Sequence, residues 1–200
     1  MSELKLSATQ SNWRLFTIRD NDPRFSKTKQ AVFRRDRNQC VYCGFTAQSG
    51  LCVVNLEGNY RKNHMANMLT ACPLCAQCGF LESVGVGDYG GGVMIYLPDI
   101  SQVELNALCH NLFSAMTLCT DSENTSKAIY RDLRMRAQWV EKSLGAGMSR
   151  PDNLGRLLID ASDNAAFDAS WMEGLRLLPS YVRCMSSILR WADDALASFS

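Results

Sequence analysis

Apolar positions change their spacing near the middle of this chain. In the first half they fall in short runs: Leu4-Lys-Leu6, Trp13-Arg-Leu-Phe-Thr-Ile18, Leu51-Cys-Val-Val-Asn-Leu56 and Val93-Met-Ile-Tyr-Leu97. Runs of this length, rich in β-branched and aromatic residues and bounded by turn formers, predict short strands. Leu51–Leu56, flanked by glycines, reads as a buried one. Asn21-Asp22-Pro23 marks a turn. Ser26 then offers an N-cap for a short helix from Lys27 to about Asp36, with Ala31, Val32 and Phe33 inward and Arg34, Arg35 and Arg37 outward. Asn63 to Leu69 reads as helical in part.

Beyond residue 100 the period becomes helical. Ser101-Gln-Val-Glu104 is a capping box opening a helix with Leu105, Leu108, Leu112 and Met116 on one stripe. Ser126 to Leu144 carries Ile129, Leu133, Ala137, Val140 and Leu144 at the same spacing. Gly145-Ala-Gly147 ends that helix, and Pro151 punctuates the loop before a weaker helix at Asn153–Asp160. Two further helices, Ser170–Leu178 and Tyr181 to about Ala197, are split at Pro179. The last bears Met185, Ile188, Leu189, Ala192 and Leu196. Such stripes make intramolecular core, with a partner-binding face as the alternative. The whole pattern predicts an α+β protein, with a strand-bearing module over residues 1–98 and a helical region over 99–200 packed on it as one globular unit.

Charge adds an asymmetry. The chain has net charge +1, but residues 1–40 hold nine Lys/Arg against four Asp/Glu, a net +5, so the remainder carries −4. The basic segment suits DNA or an acidic peptide, or is a solvated face without a partner. No apolar run approaches the roughly 18–20 residues that span a bilayer. With no signal peptide in view, the nine cysteines are expected to be reduced and cytoplasmic.

Those cysteines hold the strongest chemical signal. Cys40-Val-Tyr-Cys43-Gly44 and Cys72-Pro-Leu-Cys75-Ala-Gln-Cys78 are two C-x-x-C knuckles at the separation of a tetrahedral, all-thiolate zinc site. Two intervening residues let one turn present both sulfurs to one ion, and Gly44 can take the positive φ such a turn needs. Four thiolates close the coordination sphere, so the zinc expected on Cys40, Cys43, Cys72 and Cys75 is structural. Buried free thiols or disulfides are the bland alternative. Cys75/Cys78 has the same spacing as Cys72/Cys75; the Pro73-Leu74 knuckle favours the latter. Cys52 reads as packing, and His64 and His110 as surface or satisfied structural histidines. Gly85 to Gly92 is dense in glycine, but a strand rather than a helix follows it, so it reads as a loop and not a phosphate cradle.

Phe33-Arg-Arg-Asp36-Arg-Asn-Gln-Cys40-Val-Tyr-Cys43-Gly44 resembles the opening of zinc-bearing HNH endonucleases, where a helix ending in Arg-Asp enters C-x-x-C-G. Leu51-Cys-Val-Val-Asn55 falls on that family's Leu-x-Val-Asp-His strand, Asn67 on its internal Asn, and Cys72/Cys75 on its second pair. The resemblance implies a treble-clef-like zinc module. It also implies a lost active site. The metal-binding Asp falls on Val54, the general-base His on Asn55 and the last metal-binding His on Ala76. Asn cannot deprotonate water, and Val and Ala cannot bind a cation. No catalytic residue is therefore expected. Two rival readings are a DNA-binding derivative using Arg34, Arg35 and Arg37 on phosphates, and a nuclease whose base is His64.

Over most of its length, and most distinctively at Tyr89-Gly-Gly-Gly-Val-Met-Ile-Tyr-Leu-Pro-Asp-Ile-Ser101-Gln, the chain also resembles a small cytoplasmic subunit of the type IV coupling complex in Dot/Icm type IVB secretion systems. That resemblance implies a non-catalytic adaptor held at the inner membrane through its partners. Those partners would be the C-terminal extension of the coupling ATPase DotL, with DotM and the IcmS–IcmW pair, in a complex that recruits effectors for export.

Overall fold

The computed structural model describes residues 4–162 and 170–197. Its architecture is α+β, as the pattern predicts. In chain order the elements are α1 (Asn12–Asp20), α2 (Ser26–Arg35), β1 (Cys52–Asn55), β2 (Met68–Ala71), α3 (Pro73–Ala76), β3 (Gly92–Tyr96), α4 (Gln102–Thr117), α5 (Glu123–Met135), α6 (Ala137–Leu144), α7 (Pro151–Ser162), β4 (Leu175–Pro179) and α8 (Tyr181–Ala197). Single 3-10 turns fill several joints, among them Met65–Asn67 and Leu81–Ser83.

Two antiparallel pairs organise the chain. β1 lies against β2 with Cys52 opposite Ala71 and Asn55 opposite Met68. β3 lies against β4 with Gly92 opposite Pro179 and Tyr96 opposite Leu175. The second pair joins a strand before residue 98 to one far beyond it. The main buried cluster likewise draws Cys40, Leu74 and Ile95 together with Leu105, Phe113, Leu178 and Ile188. Helix α4 is central to it. Its Ser101 side chain accepts from the Glu104 N–H while the Glu104 carboxylate accepts from the Ser101 N–H, the expected capping box.

Four expectations change. Trp13–Ile18 is not a strand but most of α1, because Trp13 and Phe16, three apart on one helical face, pack into an aromatic cluster. Their rings lie 5.6 Å and 4.9 Å from that of Phe80. Leu4–Leu6 forms no strand either. The segment crosses the second knuckle, where the Ser7 N–H donates to the Cys78 carbonyl and Ser7 O accepts from the Leu81 N–H. Ser170–Leu178 is not a helix: after one 3-10 turn, Gly174 adopts φ 82°, and the leucines that follow enter β4. There Leu175, Leu177 and Leu178 are all buried. Finally, Ser126–Leu144 is two helices. The chain tightens at Arg136, so that α5 follows α4 while Trp139 of α6 stacks on Tyr96 of β3 at 4.0 Å.

Candidate metal centre

The first knuckle hangs from the end of α2. Asp36 accepts from the Thr70 N–H at 2.8 Å and pairs with Arg35 at 2.7 Å, fastening the helix end to β2. Arg37 and Asn38 then take φ 57° and 51°, turning the chain back on itself. The Cys40 N–H donates to Phe45 O at 2.8 Å, the Gly44 N–H donates to Cys40 O at 2.9 Å, and Gly44 sits at φ 77°. This is the left-handed position that glycine occupies without strain. The second knuckle starts where β2 ends. Cys72 is extended, Pro73 opens α3, and the Cys75 and Ala76 N–H groups both donate to Cys72 O.

Together the two turns bring the sulfurs of Cys40, Cys43, Cys72 and Cys75 within 4.8 Å of one another, with Cys43 and Cys72 3.6 Å apart. Zinc–sulfur bonds of about 2.3 Å in a tetrahedron place sulfurs roughly 3.8 Å apart, so the donor set fits such an ion. Three of the four residues are buried and Cys43 is half-buried. Burial holds the Cys72 thiol well above the ordinary range, whereas hydrogen bonding from Cys40 draws Cys43 below it. Four thiolates this close repel one another, and a divalent cation is the charge that lets all four ionise together.

Cys78 stands outside the cluster. Its thiol donates to Leu74 O at 3.4 Å, and burial pushes it up to about 12. Cys52 faces Ala71 O across the hairpin, its thiol likewise raised to about 12 by burial. His64 is exposed. His110 is buried, with Nε2 3.3 Å from Cys72 Sγ and its ring stacked on Phe45 at 3.8 Å and 5°. One turn earlier on α4, Asn106 is fully buried and its Nδ2 donates to Cys75 Sγ at 3.3 Å and to Leu74 O at 3.2 Å. Sequence reasoning missed this pair. The available signal was the polar series Gln102, Asn106 and His110, spaced four apart on a helix otherwise lined with leucine.

The positions that a nuclease would use are built into the framework. Val54 is core, and Ala76 is buried in α3. The Asn55 carboxamide accepts from Arg19 of α1 and donates to the carbonyls of Asn59, at 2.9 Å, and Lys62, at 3.1 Å. The Arg19 guanidinium also donates to Val53 O and Asn63 Oδ1, and lies over the rings of Phe25 and Tyr60 at 4.8 Å and 5.0 Å. Asn55 is thus an anchor for α1. Of the three arginines expected on the outer face of α2, all are exposed, but Arg35 is engaged with Asp36 and with the carbonyls of Met65 and Met68.

Fold and site together define an α+β protein organised round a four-cysteine cluster able to hold a metal ion. No protein-family model matches the chain. It is 46% identical over 195 residues, covering 97% of its length and 91% of the relative's, to the type 4 apparatus protein DotN of Legionella pneumophila. The chain belongs to the DotN family.

Proposed function

We infer that this chain is a non-catalytic, zinc-stabilised adaptor subunit of a type IVB secretion coupling complex. The identity to DotN along nearly the whole chain carries the reading. Zinc on Cys40, Cys43, Cys72 and Cys75 would be structural, since four thiolates leave no position for water or substrate. The residues at the nuclease positions support the absence of catalysis: Val54 and Ala76 offer no ligand, and Asn55 is committed to Arg19.

The partner in this reading is the C-terminal extension of the coupling ATPase DotL, with DotM and IcmS–IcmW in the same assembly. Residues 1–98 and 99–200 serve as one platform, cytoplasmic and peripheral at the inner membrane through those partners, and help to recruit effectors. Among the described residues no helix is long and apolar enough to cross a membrane. Val182, Met185 and Leu189 stand exposed along α8 at three- and four-residue spacing, Val182 by 73%. That is the kind of apolar stripe on which a partner segment lies. The basic N-terminal segment favours an acidic one.

The test is a titration of the full chain at physiological salt against the C-terminal extension of the coupling ATPase from the same genome, with a DNA duplex in parallel. Tight, nearly salt-independent binding to the extension and none to DNA is expected. Binding to DNA alone, falling steeply with salt, would overturn the adaptor reading in favour of a nucleic-acid-binding derivative.

A further inference from the structure

The buried face of α4 carries three polar side chains in a row, and all three reach across to another element. The Gln102 carboxamide bonds both ways to Leu177 of β4, donating to its carbonyl and accepting from its N–H, each at 2.8 Å. It also donates to Asn106 Oδ1 at 2.9 Å. With its oxygen so engaged, Asn106 turns its amide toward the second knuckle, where it donates to Leu74 O, to Cys75 Sγ and, at the longer distance of 3.8 Å, to Cys78 Sγ. One turn on, His110 Nε2 meets Cys72 Sγ. Phe45, the residue after Gly44 in the first knuckle, stacks on the His110 ring, and Trp191 of α8 packs against both, 4.6 Å from Phe45 and 5.6 Å from His110.

Burying three polar groups in an apolar interface costs free energy unless each is partnered. Leucine would fill the same space without that cost. What amides and imidazoles add is hydrogen-bond donation to sulfur. A thiolate bound to a divalent cation keeps lone pairs and negative charge, and N–H donors directed at it relieve that charge and fix the ligand's orientation. Since a metal-bound Cys72 sulfur can only accept, His110 must carry its proton on Nε2.

We propose that α4 is the outer layer of the metal site, with Asn106 and His110 as positioning residues whose N–H groups hold the Cys75 and Cys72 thiolates in their zinc-binding arrangement. This rests on the reading that the four cysteines bind zinc. It adds that metal loading and docking of the helical half are one coupled event. The ion is held by residues 40–75, but its charge is balanced from beyond residue 100. The same row continues through Gln102 to β4, so the metal, α4 and the β3–β4 pair share one hydrogen-bonded chain.

The experiment uses the full-length zinc-loaded protein. Metal content of the wild type is measured first; fewer than one zinc per chain defeats the four-cysteine reading before any variant is made. Zinc transfer to a chromophoric chelator is then timed in His110→Phe, which keeps a ring over Phe45 but has no donor, in Asn106→Leu, and in His110→Gln, which restores an N–H. Release about 10–100-fold faster is expected in the first two and near wild type in the third. In the cobalt-substituted proteins, the sulfur-to-metal charge-transfer band should move to lower energy in His110→Phe and return in His110→Gln. A change of packing alone would not do this. Wild-type release rates and an unmoved band in His110→Phe and Asn106→Leu would overturn the proposal while leaving the zinc site standing. Should those variants not fold, hydrogen exchange on the wild type decides. Chelation should expose the amides of α4 together with those of the knuckles; an α4 still protected after the zinc is gone would refute the coupling.

Discussion

Cys75 and Cys78 lie three residues apart in the same short stretch, yet only one of them faces the cluster. Cys78 keeps its proton and spends it on Leu74 O, so serine there should leave full zinc content with at most a modest loss of stability. Cys40→Ser or Cys72→Ser should instead yield metal-free, unfolded protein. Zinc binding in such modules is worth about 10–16 kcal/mol, as much as the whole stability of an ordinary domain. Metal analysis of the three purified variants checks this, and zinc retained in Cys40→Ser would remove that residue from the site. A second residue-scale consequence concerns Glu82. Both carboxylate oxygens are buried with no hydrogen-bond partner among the described residues, and burial pushes the group up to about 7. The folded state therefore holds its proton to a higher pH than the unfolded chain does, so the stability this group contributes is fully present below about 4.5 and is lost as pH rises through about 7. Glu82→Gln should accordingly stabilise the protein at pH 8, on the order of 1–2 kcal/mol after allowance for solvent screening, and have little effect at pH 4.5. Urea unfolding of both proteins at the two pH values measures the difference.

Among the elements, α7 and the 3-10 turn at Leu81–Ser83 show close approach overriding propensity. Gly155 lies inside α7, where alanine would ordinarily add about 1 kcal/mol. A Cβ at that position would stand 2.2 Å from Glu82 N and 2.6 Å from its Cα, so backbone must move. Gly155→Ala should therefore destabilise, by roughly 1–3 kcal/mol or more. A thermal midpoint equal to or above wild type would show that α7 can slide. α1 and β4 carry the same lesson for reading sequences. Trp13 to Ile18 has strand composition, and Leu175 to Leu178 has helix composition. Each adopts the other state because its neighbours require it. An aromatic cluster takes Trp13 and Phe16 from one helical face, and β3 takes a partner strand. Propensity differences of tenths of a kcal/mol per residue do not compete with burial of such side chains. α4 was legible to its cap, because Ser101 and Glu104 satisfy each other locally.

At the scale of the molecule, the pairing of Gly92–Tyr96 with Leu175–Pro179 makes the first half depend on the second. Residues 1–98 expressed alone would expose an unpaired β3 with Met94 and Ile95, both fully buried in the whole chain, an edge of the kind that aggregates. The fragment is expected to be insoluble or oligomeric, and co-expression with residues 99–200 to recover a soluble complex; a monomeric, zinc-loaded fragment would contradict this. Features whose causes lie within a few residues of one another can be read along the chain. These are the two C-x-x-C turns with their glycine, the capping box of α4, and the apolar periods of α4 and α8. Packing between distant segments sets which strand pairs with β3, the helical state of Trp13 to Ile18, the position of Cys78 outside the cluster and what Asn106 and His110 touch. A polar residue on a helix does not specify its partner until the helix docks. Here docking brings the donors of α4 onto sulfurs more than thirty positions earlier in the chain.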